Sequence, residues 1–294
     1  LEKKIIKIND IAAGSTRVIF RDYEGGRPPK PKVTKTSVPD TTAFNPDKWD
    51  IEVEDINLTD CFFSLDNGID PPYANEFDPS HIHVSDIQVE IENVRIQGDT
   101  LTAQLNNLAA KERCGLIVKK LKADVRVSPT ESICKNLLLQ TNNSTLEDYY
   151  AMHYTRFPDF LDYINKVVMV GHIKKSKVDS KDVAYFATAL REYPTILNIS
   201  GDVKGTVADI QAKDLYLNDG YTTVKGDLSM EGLPDIDNTY IIYQNGELFT
   251  SNTGIFRYAP QLRNNTSVDF NSITRAYFKG DFKGYINNFV LNGT

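Results

Sequence analysis

Apolar residues along this chain alternate with polar ones, slip by one position, and resume alternating. Ile51 and Val53 are followed by Ile56 and Leu58, then by Cys61, Phe63 and Leu65. Ile82 and Val84 are followed by Ile87, Val89 and Ile91, then by Val94 and Ile96. The same spacing recurs at Ile6, Ile8, Ile11 and Ala13, at Leu116, Val118, Leu121 and Ala123, and at Ile210, Ala212, Leu215 and Leu217. Strict alternation puts one set of side chains on one face of a strand. A slip of one sends the next set to the other face unless the chain bulges or turns there. The gaps hold Glu54-Asp55, Ser85-Asp86, Glu92-Asn93 and Lys213-Asp214, all polar and suited to such breaks. The pattern therefore predicts long strands that share one apolar face, with bulges or turns near Asp55, Asp86 and Asn93.

Residues 1–23 read as strand, turn, strand. Residues 24–48 hold Gly25-Gly26 and five of the 13 prolines, and read as a loop or linker too proline-rich to join a sheet. Residues 49–294 read as a continuous sheet, with turns at Asp66-Asn67-Gly68, Gln97-Gly98-Asp99 and Leu217-Asn218-Asp219-Gly220. Such close spacing fits antiparallel pairing, because parallel pairs need long crossovers. Two short helices are expected. One, near 158–165, turns Phe157, Phe160, Leu161 and Ile164 to one face. The other, near 181–191, buries Val183, Phe186, Ala187 and Leu190 behind a Ser180 N-cap. Gly201-Asp202-Val203-Lys204-Gly205 is echoed by Gly280-Asp281-Phe282-Lys283-Gly284 and by Gly226-Asp227, which suggests a unit that repeats along the sheet. The expected fold is all-β with two short helices, an elongated, twisted, largely antiparallel curled sheet of the β-taco or groove kind.

The net charge of −7 and the pI near 5.2 argue against a nucleic-acid surface, which needs a basic face. The longest aliphatic run, Val167-Val168-Met169-Val170, is far shorter than a membrane span. Cys61 and Cys114 fall in phase with apolar neighbours and read as small buried hydrophobes; with Cys134 they form no CxxC or zinc spacing. His81 and His83 share a strand face, yet no third ligand is marked by spacing. Nucleophile elbows, P-loops and HExxH motifs are absent. The expectation is a protein without catalytic residues, metal or cofactor.

The stretch from Asp50 to Leu233 resembles the TamB-like proteins of the Bacteroidota, within the AsmA-like group. The likeness rests on Ile56-Asn57-Leu58, on Phe77-Asp78-Pro79-Ser80-His81-Ile82-His83-Val84-Ser85-Asp86-Ile87 and on Lys181-Asp182-Val183-Ala184-Tyr185-Phe186-Ala187. It also rests on Gly201–Val207 and on Gly232-Leu233-Pro234-Asp235-Ile236-Asp237-Asn238-Thr239. The resemblance implies a periplasmic segment of a longer, inner-membrane-anchored parent that starts before Leu1. Its apolar groove would carry phospholipid acyl chains between the inner and outer membranes, and an outer-membrane barrel partner would meet other parts of the parent. The expected groove lining is Ile51, Val53, Ile56, Leu58, Ile82, Val84, Ile87, Val89, Ile91, Val94, Ile96, Leu116, Val118, Leu121, Leu215 and Leu217. Two alternatives stay open: a scaffold for outer-membrane protein assembly by strand capture, and a closed β-sandwich serving as adhesin or carbohydrate-binding module.

Overall fold

A computed structural model describes residues 4–22, 45–68, 70–192, 194–264 and 269–294. Sixteen strands form one mostly antiparallel sheet that is not closed into a barrel. The described chain divides into two compact units. One comprises Leu1–Thr145 with Thr155–Phe157 and Asp179–Pro194; the other comprises Leu146–Tyr154, Pro158–Val178 and Thr195–Thr294.

In the first unit, β1 (Ile5–Gly14) and β2 (Arg17–Arg21) both lie parallel to β3 (Asp50–Asp66) with the same offset, Ile5 opposite Asp50 and Arg17 opposite Phe62. They form one interrupted strand, so the turn expected within residues 1–23 is, at Ser15-Thr16, a break without reversal. The parallel pairing requires a crossover. Most of the expected linker 24–48 lies outside the described residues. Its end is held by Asn45, whose side-chain amide donates to the carbonyls of Trp49 (2.8 Å) and Gly98 (2.7 Å).

The sheet continues through β4 (His81–Gln97), β5 (Thr100–Glu112), β7 (Lys120–Ser128) and β8 (Glu131–Gln140), with the two-residue β6 (Ile117–Val118) also on β5. Only Gly98-Asp99 joins β4 to β5, whereas β3 and β4 are joined by a long segment rather than a tight turn at Asp66-Asn67-Gly68. The run from Leu116 to Leu121 is not one strand. Lys119 interrupts it, and Leu116 lies before β6.

The slips are real and have a common cause. Asp60, Asp86 and Asn93 adopt left-handed backbone (φ 52°, 53° and 54°), a conformation that Asp and Asn tolerate better than most side chains. The extra residue at Asp60 in β3 is offset by the one at Asp86 in β4. The ladder runs Leu58 to Val89, Cys61 to Ile87, then Phe63 to Val84. Ile82 and Ile87 therefore stay on one face. At Asp55 there is neither left-handed backbone nor a register shift, contrary to expectation. The slip shows there as two consecutive exposed residues, Glu54 and Asp55, beside the Asn93 bulge. Asn136 adds a bulge of the same kind in β8.

The second unit contains β9 (Thr145–His153), β10 (Val168–Asp179), β11 (Ile196–Gly205), β12 (Asp209–Asn218), β13 (Thr222–Glu231), β14 (Tyr240–Ser251), β15 (Arg275–Tyr285) and β16 (Asn288–Gly293). Here the Gly-Asp repeat finds its meaning. Asp214 and Asn245 are left-handed bulge residues, and the register shifts at both. Gly201 and Gly226 lie across from them, at φ 137° and 136°. A Cβ on Gly226 would come 2.7 Å from the Gln244 carbonyl oxygen, so only glycine fits. The aspartates after Gly226 and Gly280 bind the amides at the bulges. Asp227 Oδ1 accepts from the Asp214 amide (3.0 Å), its Oδ2 from Asn245 Nδ2 (3.0 Å), and Asp281 Oδ1 from the Asn245 amide (3.0 Å).

The expected helices are shorter and differently placed. Residues 157–166 form a 3₁₀ turn (Phe157–Asp162) leading into α1 (Tyr163–Lys166), with Leu161 94% exposed. The segment 181–191 resolves into α2 (Ser180–Val183) and a 3₁₀ turn (Thr188–Glu192). Asp179, not Ser180, is the N-cap, accepting from the Lys181 amide at 2.9 Å. Phe186 is 61% exposed and Ala187 is exposed too; what α2 buries is Ser180 and Asp182, with Ala184 buried just after it. Helical spacing over one or two turns did not reveal which face would dock, because buried polar bonds decide it. A third helix, α3 (Asn252–Tyr258), has its N-cap in Ser251 and follows β14 without a sequence warning.

Gly226→Ala should destabilise the chain by about 1–3 kcal/mol, since it forces a side chain into unfavourable backbone against a carbonyl. Asn245→Gly should cost less, because glycine keeps the left-handed bulge. Urea denaturation of both variants distinguishes the two positions.

Candidate ligand-binding face

The ladders join the alternating residues into apolar rows. In the first unit Ile51, Ile96, Leu101 and Val127 form one row, and Ile56, Ile91, Leu105 and Ala123 another. Leu58, Val89 and Leu108 form a third, and Val53 faces Val94. Leu121 faces Leu139, and Val118 faces Ala110. No titratable side chain stands in these rows. Of the sixteen expected lining residues, Val53, Val89, Val94 and Leu215 are buried and the other twelve are half-buried. Part of the surface of these half-buried side chains remains accessible.

Leu215 and Leu217 belong to the second unit, whose rows are independent. Ile199, Leu217, Val224, Leu248 and Phe278 run across one, and Val203, Ala212, Leu228, Tyr243 and Phe282 across another. The candidate list omitted much of this surface. Leu101, Ala103 and Leu105, then Leu108 and Ala110, carry the same slipped alternation about Asn106-Asn107, a legible signal. The polar opposite face holds exposed pairs such as Lys7–Glu52 (3.0 Å) and Lys111–Asp86 (2.8 Å), which add little stability.

Buried polar chemistry in the first unit gathers where residues 70–80 and α2 meet the strands. His81 and His83 take separate carboxylates. His81 Nδ1 lies 3.0 Å from Asp78 Oδ2, and His83 Nε2 lies 2.6 Å from Asp66 Oδ1. The hydrogen bond from His83 is the main reason that Asp66 ionises below the usual carboxylate range. Ser64 Oγ donates to Asp66 (3.3 Å) rather than to the imidazole, so these three residues do not form a serine triad. Burial pushes the Cys114 thiol up to about 11, which keeps it protonated and poorly nucleophilic. Among the described residues no group of three or more His, Cys, Asp or Glu side chains is placed to hold a metal. No described helix is long and apolar enough to cross a membrane.

Asp182 ties α2 to the turn after β8. Burial raises its pKa, but hydrogen bonds from Thr141 Oγ1, the Asn143 amide (2.9 Å), Asn143 Nδ2 (2.9 Å) and Ser144 outweigh burial and leave it lowered. These bonds exist only in the folded chain. The stability they add is complete above the ordinary carboxylate range and is lost as pH falls through the depressed folded pKa.

No family model, curated protein or solved structure matches this chain.

Asp182→Asn should therefore lower stability at neutral pH by about 1–3 kcal/mol and weaken its fall below pH ~4. Denaturant midpoints measured from neutral to acid pH for the wild type and the variant check both parts.

Proposed function

We propose that this chain is a segment of a TamB-like envelope protein in the periplasm, whose apolar face carries phospholipid acyl chains between inner and outer membranes. The observation that supports this most is the set of uncharged apolar rows on one side of long strands, mostly half-buried. All described strands belong to one sheet, so among the described residues there is no separate second sheet to cover the rows. The α-helices, of four, four and seven residues, are too short to do so. Contiguous apolar surface left accessible on a protein marks an interaction site. Acyl chains suit it, each buried CH₂ contributing about 0.8 kcal/mol. Repeated rows without a convergent polar cluster suit passage better than tight retention. In this reading the protein performs no covalent chemistry, and an outer-membrane barrel is its partner.

A second reading, strand capture during outer-membrane protein assembly, draws on β16. All six of its residues are exposed, including Phe289, Val290 and Leu291, and among the described residues it pairs only with β15. In this reading a strand edge of that kind receives an incoming strand through backbone hydrogen bonds.

Ile91→Arg is the discriminating substitution, because Ile91 is half-buried and its neighbour Val89 is buried. The guanidinium can bend toward water while its charge interrupts the apolar rows. Ile91→Arg should stay folded and bind several-fold less phospholipid, whereas Val89→Arg should cost several kcal/mol. Native mass spectrometry of lipid bound to the purified chain, with thermal melting of the same samples, checks this. Unchanged lipid on folded Ile91→Arg would remove the acyl path. Affinity for C-terminal strand peptides of barrel proteins without bound lipid would favour strand capture.

A further inference from the structure

The polar face of the first unit carries a second kind of surface, on the side opposite the apolar rows and independent of their reading. Two adjoining clefts, of about 380 and 430 Å³, share Arg95, Thr102 and Arg126. The ladder sets these residues side by side: Arg95 on β4 opposite Thr102 on β5, and Thr102 opposite Arg126 on β7. The two arginines are thus two strand spacings apart, roughly 10 Å between backbones, with a hydroxyl between them. One step along the strands lie Gln104, Asp124 and Lys135, again directly paired.

The cations here are under-used. Arg95 and Lys135 make no ion pair among the described residues, and the Thr102 hydroxyl makes no hydrogen bond to protein. Glu52, the carboxylate opposite Arg95, is held chiefly by Lys7 at 3.0 Å, with the Arg95 charge a lesser influence on it. Arg126 donates through Nε to Glu131 (2.9 Å), which orients its guanidinium and spends one nitrogen of three. The acidic member of the smaller cleft, Asp124, accepts from Asn136 Nδ2 (2.6 Å), and Asn93 is bound to Gln104 (2.9 Å). Three cations against one carboxylate line that cleft, in a chain whose net charge is −7.

We propose that Arg95, Thr102 and Arg126 form a binding site for a compact tetrahedral oxyanion, the phosphate group of a phosphate monoester. Two guanidinium forks match the paired oxygens of a phosphate, and a hydroxyl supplies a third donor. The larger cleft adds Asp50 and Glu52, which repel a second anionic group on that side. The site therefore takes a single phosphate and rejects an extended polyanion. The phosphate can belong to a soluble compound or to a lipid headgroup.

Calorimetric titration of the full chain with inorganic phosphate tests the site. Arg95→Gln and Arg126→Gln should each weaken binding about tenfold, the loss expected for a charge-assisted hydrogen bond. Thr102→Val should weaken it less. Lys283→Gln, which removes an exposed cation of the second unit, should leave it unchanged. Flotation with phosphatidylcholine vesicles, with and without phosphatidic acid, separates the sources. Arginine-dependent flotation on phosphatidic acid that free phosphate competes away identifies a headgroup, and phosphate binding without flotation identifies a soluble phosphate. Absence of phosphate binding by the wild type, or equal binding by folded Arg95→Gln and Arg126→Gln, would overturn the proposal. Thr102→Val, which keeps every charge, serves the same purpose if an arginine variant fails to fold.

Discussion

The structure depends on keeping one set of side chains on one face of strands that are also forced to twist. A strand of seventeen residues such as β3 or β4 accumulates twist along its length. A bulge raises local twist and inserts one residue, which by itself would turn every later side chain to the other face. Here insertions in facing strands compensate, as Asp60 and Asp86 do, and the hydrophobic alternation slips by one at the same places. Backbone irregularity and sequence irregularity cancel, and the apolar face stays continuous.

That arrangement explains residues with no packing role. Asp214 and Asn245 take the left-handed conformation, glycines lie across from them, and aspartates on the adjacent strand bind the freed amides. The outcome is a polar seam on one side of the second unit and unbroken apolar rows on the other. In the first unit the same seam appears at Ser15 and Asp60, whose side chains bond at 3.3 Å.

The two faces have separate chemistry because alternation keeps them apart. Charges concentrate on the polar face, where solvent screens most pairs and where Arg95 and Lys135 make no ion pair among the described residues. The apolar face holds no charge in its rows, and most of its side chains lack the depth of a closed core. Buried polar bonds hold the junctions, where Asp78, His81 and Asp182 keep short segments in place, and also link strands, as at Ser176 and Thr250.

Much of the sheet was legible in the amino-acid order. The alternation at Ile51–Leu65 and Ile82–Ile96 implied both the shared face and the bulges at Asp86 and Asn93, because side-chain period and register are local properties. The twelve half-buried lining positions needed the structure, since whether a face is covered depends on elements distant in sequence. The parallel pairing of β1 and β2, read as strand, turn, strand, was decided by long-range hydrogen bonding to β3. The helices near 158–165 and 181–191 were misjudged for a related reason. Spacing at Phe157–Ile164 and Val183–Leu190 suggested longer helices than the four-residue α1 and α2, and the tertiary bonds of Asp182 fixed which side turned inward and left Phe186 in solvent. The pairing of Arg95 with Arg126 across Thr102 lay beyond the sequence as well, for only the register of three strands brings those positions into one row.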